Sequence, residues 1–194
     1  MISGNRRRSR DLWLTLLATL LCVPALAAWD VAALMTVLAD HPAGKARFTE
    51  TKILSVLDTP VVSTGELIYS PPDRLEKNTL APKPESLAVK GDTLVLERDG
   101  RRRELNLPQH PEAMSIIEAV RGTLIGNRGL LEQHYKLELK GNPRSWQLIL
   151  KPRQARVLRW VKEITVTGQA GEIIQIDTEQ TDGDKSSLRI EPLR

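Results

Sequence analysis

The run over residues 111–131, PEAMSIIEAVRGTLIGNRGLL, restricts the fold more than any other stretch of the chain. Its apolar residues Ala113, Ile116, Ile117, Val120, Leu124 and Ile125 recur at steps of three and four, the spacing of a helix with one wide apolar face. No other long helical signal lies in the middle of the chain. The sequence on either side reads as short strands separated by turns, so this helix is expected to lie on, or inside, a curved sheet. Such an arrangement is a container with a cover.

The strand runs are 46–57, 61–70, 74–80, 86–90, 93–98 and 102–107 before the helix, all rich in apolar and β-branched residues. Asp58-Thr59-Pro60, Ser70-Pro71-Pro72, Ala81-Pro82-Lys83-Pro84, Gly91-Asp92 and Asp99-Gly100 break them as turns. Asp99-Gly100, between Leu94-Val95-Leu96 and Leu105-Asn106-Leu107, is the strongest hairpin signal. After the helix, Tyr135, Leu137 and Leu139 alternate with polar residues, residues 141–144 turn the chain, and Trp146, Leu148 and Leu150 alternate again. Runs at 160–167, 172–179 and 185–191 complete the series. Short connections favour antiparallel pairing in chain order. The fold expected is mainly β, a meander of about ten strands that twists and curls around the helices. A second, shorter helix is expected over 30–41, with Asp30 as its cap, Val31, Leu34, Met35 and Leu38 on one face, and His41-Pro42 as its stop.

The chain starts with Arg6, Arg7, Arg8 and Arg10, followed by an apolar core over 12–25 and then Ala25-Leu26-Ala27. Small residues at those two alanine positions are what a signal peptidase reads, so export with cleavage after Ala27 is expected. About 14 apolar residues fall short of the roughly 20 that a spanning helix needs. Losing 1–27 removes four arginines and one aspartate and brings the formal charge from +4 to +1. A nearly neutral chain has no general electrostatic pull toward nucleic acid. Cys22 departs with the leader, so neither disulfides nor thiol chemistry are expected in residues 28–194, which are read as one domain.

Catalytic spacing is missing. His41, His110 and His134 stand apart without HxxH or HExxH, no serine lies in GxSxG, and no glycine-rich phosphate loop occurs. Asp182-Gly183-Asp184 reads as a hairpin turn, since a calcium loop needs more acidic ligands and a closing glutamate. No enzyme activity, metal or cofactor is expected. Arg101-Arg102-Arg103 has two readings: charged guards of an exposed strand edge, or a dock for an anionic lipid head group or acidic partner.

Several stretches together resemble a known family. Phe48-Thr49-Glu50, Gly65-Glu66-Leu67-Ile68-Tyr69, Pro72-Asp73-Arg74-Leu75, and Val89-Lys90-Gly91-Asp92 followed by Leu94-Val95-Leu96 are similar to the first half of the periplasmic outer-membrane lipoprotein carriers, the LolA-like proteins. Trp146-Gln147-Leu148-Ile149-Leu150-Lys151-Pro152 and the hairpin from Ile164-Thr165-Val166 to Ile176 resemble the second half. The resemblance runs over about residues 30–190 and rests on the order and spacing of loose motifs. It implies an unclosed β-barrel lidded by helices, with an apolar cavity that shields acyl chains in the periplasm. It also implies inner-membrane loading and outer-membrane accepting partners, and the chain is read as a monomer. Leu94, Leu96, Ile117, Val120, Leu124, Leu137 and Leu148 are the candidate lining. From pattern alone the same residues read as a filled core, since interiors are normally close-packed; the resemblance favours a cavity.

There are two departures from the family pattern. The carriers place an arginine just before the proline of this region, where it latches the lid by bonding helix carbonyls; here that position is Pro71, and Arg74 lies beyond the pair. The carriers also continue past the strand that ends here near Glu191. The reading is therefore a divergent LolA-like carrier of a lipoprotein or another lipid. A non-enzymatic envelope sensor built on the same half-barrel is the alternative, and a hydrolase ranks third.

Overall fold

The computed structural model describes residues 29–40 and 43–193. The basic and apolar start, the cleavage expected after Ala27, Cys22 and the His41-Pro42 stop lie outside those residues. Helix α1 spans Val31–Ala39. Its first turn is capped by Asp30, whose Oδ1 accepts the backbone N–H of Ala33 at 2.9 Å, and it buries Leu34, Met35 and Leu38 as the spacing predicts.

Six strands follow: β1 (Gly44–Ile53), β2 (Val61–Ser70), β3 (Arg74–Ala81), β4 (Glu85–Lys90), β5 (Thr93–Arg98) and β6 (Arg101–Asn106). A short 3-10 turn, Leu107–Gln109, leads into α2 (Pro111–Leu124) and α3 (Arg128–His134). Five more strands close the chain: β7 (Tyr135–Asn142), β8 (Ser145–Pro152), β9 (Val161–Gln169), β10 (Glu172–Gln180) and β11 (Lys185–Pro192). The Asp99-Gly100 hairpin forms as expected, with φ of 52° and 70° at the two turn residues, both in the left-handed region a two-residue turn requires.

All eleven strands belong to one antiparallel sheet, ordered β6-β5-β4-β3-β2-β1-β11-β10-β9-β8-β7 and not closed into a barrel. The expected pairing in chain order holds along each arm. It fails at the centre, where β1 pairs with β11 and Phe48 sits opposite Ile190. The free edges are therefore β6 and β7, the two strands that the helices separate. A plain meander would have left β1 and β11 as the edges. The helical segment is too long for a hairpin, so the chain leaves one edge, crosses the concave face and re-enters at the other.

The helix expected over 111–131 is two helices. Gly126 has a φ of 63°, and a Cβ there would lie 2.2 Å from the Met35 carbonyl oxygen and 2.6 Å from the Ala39 nitrogen. The break lets the end of α1 dock against the turn. Asn127 then restarts the helix, its side chain accepting the Leu130 N–H at 2.9 Å.

The buried apolar residues form two clusters. The larger joins α1, α3 and β7–β10 through Leu34, Leu38, Leu131, Tyr135, Leu148, Ile164 and Ile176. The smaller joins Val89, Leu94 and Leu107 on the opposite arm. Helix α2 touches both, with Ile116, Val120 and Leu124 against the first and Ala113, Met114 and Ile117 against the second. Between the clusters lies the concave face of the central strands.

Candidate functional site: an apolar cleft beneath the central helix

Strand alternation sets the floor of this cleft. Successive side chains point to opposite faces, and the register aligns Phe48 with Gly65, Leu67 with Lys77, Tyr69 with Leu75, and Glu50 with Leu188. Leu67, Leu75, Leu188 and Ile190 lie on the concave side with α2 above them, and the space enclosed is about 810 Å³. That volume is within the range, roughly 300–1,000 Å³, of sites that hold small molecules.

The faces of α2 are the reverse of what a packed helix shows. Its buried residues are Ser115, Glu118, Ala119, Gly122 and Thr123, three of them polar. Ala113, Ile116, Ile117, Val120 and Leu124 are only half-buried and line the cleft. The helix turns its apolar face toward the cleft and the two clusters that flank it, and its small and polar face toward α3, β7 and the β4–β5 turn. Gly122 allows this approach, since a Cβ there would meet Leu131 at 2.6 Å.

The buried polar groups are satisfied in ways that tie α2 down. The Tyr135 hydroxyl, on β7, donates to the Ser115 carbonyl at 2.5 Å and also hydrogen-bonds the Ser115 hydroxyl. Arg121 donates from Nη1 to Glu118 at 2.7 Å and from Nη2 to the Gly91 carbonyl at 2.8 Å, reaching the β4–β5 turn. Arg74, beyond the missing latch position, is exposed and pairs with Glu76 at 2.6 Å. The arginine that ties helix to sheet thus stands on the helix, and sequence reading passed over it. The Glu118-Arg121 spacing of three on a helix was the available signal.

Burial pushes the Tyr135 phenol up to about 12, helped by the Glu118 charge and opposed by the Ser115 hydrogen bond. The folded chain therefore holds this proton more tightly than the unfolded chain, which releases it near pH 10. Its contribution is complete below about pH 10 and is lost as the pH climbs toward 12. Tyr135→Phe is expected to remove about 2–3 kcal/mol of the fall in unfolding free energy over that interval. Urea unfolding at a series of alkaline pH values measures it; identical slopes in the two proteins would contradict this.

One polar cluster breaks the apolar floor. Glu50 is nearly buried and accepts from Lys77 Nζ at 2.5 Å, Ser186 Oγ at 2.9 Å and Ser63 Oγ at 3.4 Å, with Lys52 Nζ 3.5 Å away. Burial disfavours its charge, but Lys77, Lys52 and Ser186 outweigh burial and hold the carboxyl below its ordinary range. Lys77 also stands 5.0 Å from the centre of the Phe48 ring.

Of the seven candidate lining residues, Leu94, Ile117, Val120 and Leu124 lie on the cleft wall. Leu96 is on the same sheet face, opposite Leu87. Leu148 is fully buried in the larger cluster, and Leu137, opposite Leu150, packs against it. Arg101–Arg103 lie on the exposed edge strand β6, with Arg102 paired to Glu97 at 3.1 Å. His110 precedes α2 and His134 ends α3, where its ring lies 3.3 Å from the Gln154 amide. Among the described residues no helix is long and apolar enough to cross a membrane.

A family model for outer membrane lipoprotein carrier protein LolA-like sequences matches residues 23–190. No curated protein matches the chain. Among solved structures, a LolA superfamily protein from Nitrosomonas europaea aligns at 10% identity and a TM-score of 0.46, covering 86% of this chain and 94% of that one. MucB of Pseudomonas aeruginosa, in its complex with MucA, aligns at 15% identity and 0.44, over 83% of this chain. This chain spans about half of MucB, 55% of its length. The Mycobacterium tuberculosis lipoprotein LppX aligns at 8% identity and 0.42, over 83% of this chain and 93% of that one.

Proposed function

Because the chain belongs to the outer membrane lipoprotein carrier protein LolA-like family, we propose that its cleft binds acyl chains and that it carries the lipid or lipoprotein bearing them toward the outer membrane. The observation that carries this reading is the orientation of α2. Five apolar side chains on one helix face look into about 810 Å³ of space, while serine, threonine and glutamate of the same helix are buried. A helix selected only for packing would bury the apolar face, because that face gains most from leaving water. Each methylene placed in the cleft gains about 0.8 kcal/mol. Binding is thus strong, and release needs a membrane or partner that buries the chain equally well. The export expected from the first 27 residues supports work in the periplasm, between a loading protein and an accepting one.

Helix α2 is the cover, and Arg121 is its tie to the sheet. Freed from the Gly91 carbonyl, the helix is expected to admit cargo faster. The test is movement of a fluorescent acyl lipid from donor to acceptor vesicles. The chain is expected to speed transfer in proportion to its concentration, and Arg121→Ala is expected to raise the uptake rate severalfold. A protein that takes up no lipid, or takes it up without passing it on, would contradict the carrier reading; stoichiometric capture of an envelope protein without transfer is the behaviour of a sensor.

A further inference from the structure

We propose that the Glu50–Lys77–Lys52 cluster is the head-group station of the cleft, selecting acyl ligands that end in an anionic carboxylate or phosphate. This rests on the reading of the cleft as an acyl site and names the class of ligand it takes. Two ammonium groups surround one carboxylate, with Lys77 Nζ at 2.5 Å and Lys52 Nζ at 3.5 Å from the same Glu50 oxygen. The cluster therefore carries a surplus of one positive charge.

Other concave neighbours leave that charge in place. Ser63, Ser186 and Thr178 are the polar residues around it, and none is acidic. Three other acidic residues line the cleft: Glu76 is paired with Arg74 at 2.6 Å, Asp40 follows α1, and Glu172 is six residues from Thr178 along β10, about 20 Å in an extended strand.

An ammonium has three donors, and Glu50 takes one from Lys77. The Lys52 side chain is half-exposed and that of Lys77 less so, and a hydrocarbon seated beside them strips water from their remaining donors, where an unpaired cation is costly. A carboxylate or phosphate supplies the missing acceptors through charge-assisted hydrogen bonds. Leu67 and Leu188 flank the cluster in register, so a chain whose head sits there continues over Leu188 and Ile190 toward the underside of α2. An uncharged head group gains only the apolar contact.

The experiment compares palmitate, palmitoyl lysophosphatidylglycerol and uncharged monopalmitoyl glycerol by titration calorimetry on the intact chain. Wild type is expected to bind at least one of the anionic ligands about tenfold more tightly than monopalmitoyl glycerol, and which one gains identifies the head group. Lys52→Met, at a half-exposed side chain, is expected to erase that preference by weakening the favoured anionic ligand about tenfold more than monopalmitoyl glycerol. Glu50→Gln keeps the side-chain shape, leaves both lysines unopposed, and is expected to raise the preference for the anion. Equal affinities in the wild type, or a preference untouched by Lys52→Met, would overturn the head-group assignment alone. Binding of none of the three would overturn both it and the acyl-site reading.

Discussion

Leu124→Glu is expected to weaken acyl-chain binding at least a hundredfold, about 2.7 kcal/mol, while the chain still folds. The side chain is half-buried on the cleft wall, at the end of the apolar face of α2. A carboxylate there stays hydrated while the cleft is open to water, but a bound hydrocarbon strips that water away without offering a partner. Leu124 also packs against the larger cluster, so a stability loss of about 1–2 kcal/mol should accompany the change. Leu148→Ala is the matched contrast. Leu148 is fully buried within that cluster, and truncation should remove about 3–4 kcal/mol of stability while leaving affinity in the folded fraction near wild type. Binding measured with a fluorescent fatty acid, beside urea unfolding of both variants, separates the two. Undiminished binding by Leu124→Glu would mean that this face does not meet the cargo.

Gly126→Val is expected to destabilise the chain by about 3 kcal/mol, through two additive causes. A branched residue in the left-handed region costs roughly 1–2 kcal/mol, and its Cβ would collide with the Met35 carbonyl and the backbone of Ala39. The collision forces α1 away from the turn that joins α2 to α3. Gly183→Ala supplies the comparison, since φ there is 95° but a Cβ would meet nothing within 4 Å. It should cost only the backbone strain, about 1 kcal/mol. Equal urea midpoints for the two variants would show that the α1 contact contributes nothing.

What was legible in the chain was local. Alternation and turn residues placed the strands, and the spacing of Ile116, Ile117, Val120 and Leu124 marked a helix with one apolar side. Those signals concern residues within a few positions of each other. They do not state that Phe48 meets Ile190, because a period of two assigns a strand a face and leaves its partner open. Nor do they state which arm of the sheet α1 covers. Leu137 and Leu148 lie on the concave side like Leu94, yet α1 and α3 share their cluster and fill the space over them. The helix break was written in Gly126-Asn127, but an apolar period running past it masked the stop. Glu50 and Lys77 are 27 positions apart, and Arg121 and Gly91 are 30, so no short-range pattern joins them.

The acyl reading of the cleft below α2 stands or falls with a lipid occupant. Native mass spectrometry of the chain, purified without detergent from the cells that make it, measures that occupant directly. The expected result is a population heavier than the bare chain by the mass of one acyl lipid, displaced by added fatty acid and missing from Leu124→Glu. A single unliganded mass that stays unchanged when fatty acid is added would contradict it.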